Sequence, residues 1–289
     1  MTAPKQGTVH ILVYGNDYHN QSLDDLSYTV DDAVQVGLAL SKLCEKDGRA
    51  YHTTYIYGED VSYDSRISSL SHSDMSHDLS WNNLENELIN LAEAVKPEDI
   101  TFIFYSGHGG EKSAKVAYGT DTSLTGSFAA RATETSTEHV PVPVSKIIDR
   151  IEAIPGTKII LSDFCFSGSF VQAGYVSVTG TEYKDYGAIE LFGDRSKIKE
   201  SSSSFYLSAS RYYEESHEGY YAPHGHFTQA LLYALGWDEK TGTIKKTGAY
   251  KNGRITFFDV ANYTMKNDKD SSQTPMYNGG SNDIVLFSF

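Results

Sequence analysis

The chain has 289 residues, with 24 Lys and Arg against 38 Asp and Glu, a formal charge of −14 at pH 7. That length predicts one large domain or two small ones, and 39% hydrophobic with 21% charged residues makes a sizeable core rather than a disordered chain. The acidic balance argues against a sequence-general nucleic-acid binder and against docking on anionic lipid, both of which need a basic surface.

No run approaches the roughly 18 apolar residues of a membrane span. The first apolar run, VHILVY, is short, contains His10 and has no cleavage-type flank, so it is not expected to be a signal peptide. The two cysteines, Cys44 and Cys165, give neither a disulfide framework nor a Cys-based zinc site. They point to a reducing, cytoplasmic setting.

In chain order, Val9 to Tyr14 reads as a buried strand between Gly7 and Gly15. Val30, Val34 and Leu38 recur at helical spacing, and Thr29 with Asp32 resembles a capping box at the helix start. His52 to Tyr57 is β-branched and aromatic, hence a strand, and the polar stretch from Gly58 to Ser80 reads as a surface excursion. Trp81, Leu84, Leu88, Leu91 and Val95 place one apolar face on a helix that ends before Pro97.

Ile100 to Tyr105 is a third strand and runs into SGHGG. Glu111 to Pro143 is rich in Ser, Thr and Ala, shows no clear period and is long for a plain connection. Ile147, Ile148 and Ile151 make a short helix stopped by Pro155-Gly156, and Thr157 to Asp163 is a fourth strand entering FCFSG. Tyr175 to Ser204, of mixed charge and ending in serines, reads as an exposed linker. Phe205 to Ser208 begins a fifth strand, Phe227 to Leu235 and Phe257 to Met265 make helices, and Ile284 to Phe287 closes with a strand. This alternation predicts a mostly parallel sheet with helices on both faces, and no repeat or domain break interrupts it.

Binding sites in such sheets gather at the carboxyl ends of the strands, where this sequence places His108 and Cys165. A lone cysteine is commonly an inert small hydrophobe, and Cys44, on the apolar side of the first helix, fits that description. Cys165 differs, because Ser167-Gly168-Ser169 lets the backbone turn tightly beside it. A histidine in a glycine-rich turn can be a plain surface residue, yet SGHGG sets an imidazole where a thiol would need a base.

YSGHGG followed by DFCFSG resembles the catalytic core of the caspase-like cysteine peptidases, and most closely that of the metacaspases. Their Asp-x-Cys-x-Ser-Gly context stands here as Asp163-Phe164-Cys165-Phe166-Ser167-Gly168. The resemblance extends through VHILVYGNDY, LSYTVDDAVQVGLAL, FYLSASRYYEESHE, GHFTQALLYAL and the final QTP. It implies a three-layer caspase-like fold over residues 1–289, with a larger part (1–174), the linker (175–204) and a smaller part (205–289).

It further implies a Cys165–His108 dyad, an oxyanion hole from the backbone N–H groups of Gly109 and Cys165, and cleavage after Arg or Lys. Asp32, Ser106 and Asp163 would line the pocket for that side chain. Self-cleavage after Lys184, Arg195, Lys197 or Lys199 would accompany activation, and the partners would be protein or peptide substrates. The sequence leaves the oligomeric state open.

Departures from the animal caspases are plain. Gln-Ala-Cys-x-Gly is absent, and Ser106 stands where those enzymes carry an arginine for a substrate aspartate. No cofactor is required by the resemblance. The aspartates that bind calcium in some metacaspases have no secure match in Gly119 to Glu138, so the resemblance leaves calcium dependence open.

His224-Gly225-His226 lacks a third ligand at recognisable spacing and reads as surface histidines rather than half a metal site. No Gly-x-Ser-x-Gly elbow, Gly-x-Gly-x-x-Gly or Walker motif occurs. The rival readings are a catalytically silent caspase-like scaffold, a caspase-like peptidase with a non-basic preference, and a small-molecule serine or amide hydrolase.

Overall fold

Apolar runs flanked by turn residues become the strands, and the amphipathic stretches between them become the covering helices. The computed structural model describes residues 7–110, 126–171, 203–219, 223–245, 248–278 and 283–289. The first half comprises β1 (Val9–Gly15), α1 (Thr29–Asp47), β2 (Tyr51–Tyr57), α2 (Val61–Ile67), β3 (Ser73–Ser76), α3 (Trp81–Ala94) and β4 (Ile100–Ser106). Then come β5 (Gly109–Gly110), β6 (Ser127–Arg131), β7 (His139–Pro143), α4 (Val144–Glu152), β8 (Thr157–Asp163) and β9 (Ser204–Ser208). The remainder is α5 (His226–Leu235), β10 (Trp237–Asp238), β11 (Thr243–Ile244), β12 (Tyr250–Lys251), β13 (Arg254–Thr256), α6 (Phe257–Asn267), β14 (Met276–Asn278) and β15 (Val285–Ser288).

The main sheet has the order β14-β9-β8-β4-β1-β2-β3, and every neighbouring pair is parallel except β14 with β9. The chain starts at β1 in the middle, builds outward through β2 and β3, then returns to β4 and builds the other way. The order therefore reverses between β1 and β4, the place beside which sheets of this kind bind ligands at the strands' carboxyl ends.

Strand residues alternate between two apolar layers, as the period of two requires. Val9, Ile11, Val13, Phe102, Phe104, Ile159 and Leu161 pack with buried residues of α1, α5 and α6. Leu12, Tyr14, Ile103, Tyr105 and Ile160 pack with Trp81, Leu84 and Leu88 of α3 and Ile147, Ile148 and Ile151 of α4. With both faces covered, the central strands read as unbroken apolar runs. Each fully buried Leu or Ile contributes roughly 1.5–3 kcal/mol.

Some sequence expectations are corrected. Helix α1 does begin at Thr29, but Tyr28 is its N-cap and no side chain caps it. Instead of closing a capping box, the Asp32 carboxylate turns inward to other partners, given below. The stretch from Glu111 to Pro143, read as a long loop without a period, carries two strands in its described part, and β6 and β7 form an antiparallel three-stranded sheet with the preceding β5. Its alternation is muted, since Ala129 and Ala130 carry little apolar contrast and Pro141 and Pro143 sit in β7. The closing strand is present, but β15 joins a small sheet with β12 and β13. The polar excursion after β2 carries the short α2 and the edge strand β3.

Cys44 is fully buried, as expected, and burial pushes its thiol up to about 12. Among the described residues, no helix is long and apolar enough to cross a membrane. The linker residues 175–202, with Lys184, Arg195, Lys197 and Lys199, lie outside the described residues.

Candidate active site

Strands β4 and β8 run side by side in register, Ser106 opposite Asp163, so the turns that follow them leave the sheet together. One carries His108 and the other Cys165. Gly109 packs directly on the cysteine turn: a Cβ there would lie 1.8 Å from the Cys165 carbonyl oxygen. Phe166, next to the cysteine, holds a positive φ of 63°, a strained value of the kind that gathers at functional turns.

His108 is held at both its backbone and its ring by the segment that follows β1. Its backbone N–H donates to the Tyr18 hydroxyl at 2.8 Å, and that hydroxyl donates to the Ala129 carbonyl at 2.7 Å. Tyr18 is thus inserted into one rung of the β5–β6 ladder, while Ala129 N–H still donates to the His108 carbonyl at 3.0 Å. The next pair, Gly109 with Phe128, is then a non-hydrogen-bonded one, so the Gly109 N–H points away from β6. The His108 ring lies 4.5 Å from the Tyr18 ring, centroid to centroid, and its Nε2 is 2.8 Å from the Asp24 carbonyl oxygen. A carbonyl only accepts, so Nε2 carries the proton and Nδ1 of the neutral imidazole is the free base.

Cys165 is partly exposed, and its Sγ lies 3.4 Å from the Ser216 N–H and 3.5 Å from the Ser216 carbonyl. Burial raises the thiol's pKa against the opposing Ser216 N–H, and the nearby Glu215 and Asp163 charges add to the rise. The resting group is a thiol, and no hydrogen bond joins it to His108 among the described contacts.

The three residues expected to line a pocket do meet. Asp32 is 1% exposed and accepts from the Ser106 hydroxyl at 2.9 Å and from the Gly225 N–H at 3.2 Å. Asp163 is 4% exposed and accepts from the Thr228 hydroxyl at 2.7 Å, the Thr228 N–H at 3.1 Å and the Ser216 hydroxyl at 3.0 Å. Gly225 runs between the two carboxylates, where a Cβ would sit 2.2 Å from Asp163 Oδ2. Burial, with the like charge of Asp32, pushes the Asp163 carboxyl up to about 7. Burial also raises the Asp32 pKa, opposed by its donors.

His224 corrects the sequence reading. Far from being a surface histidine, it is 1% exposed, with Nδ1 2.9 Å from Asp32 Oδ1 and Nε2 3.3 Å from Glu239 Oε2. Burial alone would disfavour its charge, but the Asp32 hydrogen bond and charge, together with Glu239, outweigh it and raise the pKa. Sequence reasoning also gave no role to Tyr18, Asp24, Ser216 or Thr228. Tyr18, Ser216 and Thr228 lie inside segments that carry the family resemblance, which was the available signal. Among the described residues, no group of three or more His, Cys, Asp and Glu side chains is arranged to hold a metal ion.

Comparison with known proteins agrees with this architecture. A crystal structure of a Geobacter sulfurreducens protein superposes with a TM-score of 0.55 at 16% identity, covering 95% of this chain and 94% of that one. At that identity the likeness speaks for the fold alone. No curated protein matches the chain. The sequence profile of the caspase domain matches residues 8–282, from the start of β1 past β14 and through both reactive turns. By that match, the chain belongs to the caspase-domain family of cysteine peptidases, whose substrates are proteins or peptides and whose chemistry needs no cofactor.

Proposed function

We propose that the protein is an active, metacaspase-like cysteine endopeptidase that cleaves after Arg or Lys with Cys165 as nucleophile and His108 as base. The observation that carries the reading is the pairing of two turns on adjacent, in-register strands, with Gly109 against the Cys165 carbonyl. Burial keeps the resting thiol protonated, so it needs a base at the moment of attack. His108 supplies that base through Nδ1, because the Asp24 carbonyl occupies Nε2–H. The thiol leaves Ser216, gives its proton to the imidazole and attacks the scissile carbonyl. His108 then protonates the leaving amine, and water hydrolyses the thioester. The Gly109 N–H, directed off the β5–β6 ladder, and the Cys165 N–H bind the oxyanion, typically a stabilisation of about 3 kcal/mol per donor.

The basic preference rests on Asp32 and Asp163 meeting beside Ser106 at the same sheet edge. A desolvated guanidinium needs paired charge and hydrogen bonds of this kind. The pairing of Asp32 with His224 favours a second reading, a non-basic preference, because the imidazole cancels part of the charge. Self-cleavage after Lys184, Arg195, Lys197 or Lys199 belongs to the same proposal. So does a reducing, cytoplasmic location, which suits two unpaired cysteines.

Cys165→Ala and His108→Ala should each abolish cleavage of peptides with Arg or Lys before the cut bond, with far-UV circular dichroism unchanged. The wild type, unlike Cys165→Ala, should show a nick in 175–204 by mass spectrometry. Substantial turnover by folded Cys165→Ala would remove the mechanism. A wild type that prefers Gln or Asp at that position would remove the pocket assignment and leave the dyad standing.

A further inference from the structure

Thiol and imidazole do not bond each other in the resting protein, so their relative placement is set by what holds each of them. Cys165 is held from one stretch of chain, 214–218. The Ser216 N–H reaches Sγ at 3.4 Å, and the Glu214 carbonyl accepts from Phe166 N–H at 2.7 Å. His108 is held from another stretch, the segment after β1, through the Tyr18 hydroxyl and the Asp24 carbonyl. These two stretches lie nearly two hundred residues apart in sequence, and Glu218 joins them. Its carboxylate accepts the Ser27 N–H at 2.9 Å and the Tyr28 N–H at 2.7 Å, three and four residues beyond Asp24. Glu218 is itself tied back to the pocket through its bridge with Gly225.

We infer that Glu218 is a positioning residue for the dyad: it clamps the segment that carries the His108 anchor onto the stretch that carries the Cys165 anchor. The route runs from Cys165 through Ser216 to Glu218, then through Ser27 and Asp24 to the His108 ring. Hydrogen bonds from N–H groups to an ionised carboxylate are the strong ones, and here two oxygens of one side chain take one each. The plainer alternative is that Glu218 only favours the helix start, since Tyr28 is the N-cap of α1 and a carboxylate there is stabilising. A helix-start role predicts lost stability alone. A clamp predicts that His108 drifts, and a displacement of about 1 Å in a reacting group can cost a hundredfold in rate.

This inference rests on the dyad proposed above, and the test separates the two. In the full-length protein, kcat and KM on an Arg peptide and the pH dependence of Cys165 alkylation by iodoacetamide are measured for five proteins. These are the wild type, His108→Ala, Glu218→Ala, Glu218→Gln and the Glu218→Ala/His108→Ala double variant. Glu218→Ala should lower kcat by about 10- to 100-fold with little change in KM. Its alkylation profile should move toward that of His108→Ala, and the double variant should alkylate no more slowly than His108→Ala alone, as residues acting as a unit do. Glu218→Gln keeps one carbonyl acceptor and should recover part of kcat. If Glu218→Ala does not fold, Glu218→Gln decides: a fall in kcat at unchanged KM supports the clamp and a wild-type kcat overturns it. A folded Glu218→Ala with wild-type kcat, or one whose alkylation loss adds in full to that of His108→Ala, overturns the inference. Unchanged turnover by His108→Ala would instead overturn the dyad.

Discussion

Asp163 is a carboxyl that gains three donors on folding and still holds its proton to about pH 7, because burial and the neighbouring Asp32 charge outweigh Ser216 and Thr228. Its ordinary value is 3.8, so between about pH 4 and 7 the folded chain binds a proton that the unfolded chain has released. Stability therefore falls as the pH rises through that window and levels off above it. Asn fits the same place, with its carbonyl toward Thr228 and its amide toward the Ser216 hydroxyl, which can accept as well as donate. Asp163→Asn should raise Tm at pH 8, by roughly 2–4 °C for each kcal/mol recovered. The gain should shrink toward pH 4. A difference in Tm that stays flat from pH 4 to 8 would show that Asp163 titrates normally. The same variant should lose cleavage after Arg and Lys while Cys165 still alkylates, so one substitution reads both the energetic and the recognition role of this carboxylate.

At the scale of elements, the two-residue strand β5 presses the histidine turn onto the cysteine turn. Its glycines differ in what surrounds them. A Cβ on Gly109 would meet the backbone carbonyl of Cys165 at 1.8 Å and Phe164 at 2.5 Å, whereas one on Gly110 would meet, among the described residues, only the Ser127 hydroxyl, at 3.0 Å. Gly109→Ala must part the two turns, at a cost of about 1–3 kcal/mol and most of the activity. Gly110→Ala needs the Ser127 side chain to shift by a few tenths of an ångström, loosening its 3.3 Å hydrogen bond to the Gly110 carbonyl, and should keep near-native Tm and kcat. Equal behaviour of the two variants in thermal melts and turnover would refute this account of the packing. The large elements were legible in the sequence because central parallel strands are apolar throughout and their covering helices show a 3.6-residue stripe. Strands β6 and β7 were not, because alanines and prolines blunt the alternation that marks a half-buried strand. Asp32 looked like a helix-start residue because its real partners, Ser106, His224 and Gly225, are 74 to 193 positions away. His224 was misread for the same reason: its burial depends on an acid supplied by α1, which no local pattern records.

On the scale of the whole molecule, the described residues after 203 pack into the same apolar cluster as the described residues before 172. Strand β9 is bonded on one side to β8 and on the other to β14. Helix α5 packs on α1, and Trp237 Nε1 donates to Gln35 Oε1 at 2.9 Å. Ser288 N–H donates to Asp47 at 2.6 Å, and His224 and Glu218 reach Asp32, Ser27 and Tyr28 at the other end of α1. Phe205, Leu207, Phe227, Leu231 and Phe257 lie in the same layer as the buried face of α1. At roughly 1.5–3 kcal/mol each, they are comparable in sum to the ~5–15 kcal/mol net stability of a typical domain. On that basis we propose one domain in two interlocked parts, with the chain crossing between them in 172–202. Cutting that crossing removes a covalent tie but none of these contacts. With a site-specific protease sequence placed between 184 and 199, the cleaved protein should elute from a native sizing column with the intact chain. It should separate into two pieces only in denaturant and should keep its Cys165-dependent turnover. Separation in native buffer would show that the parts are held by the linker rather than by the shared core, and the one-domain assignment would fall.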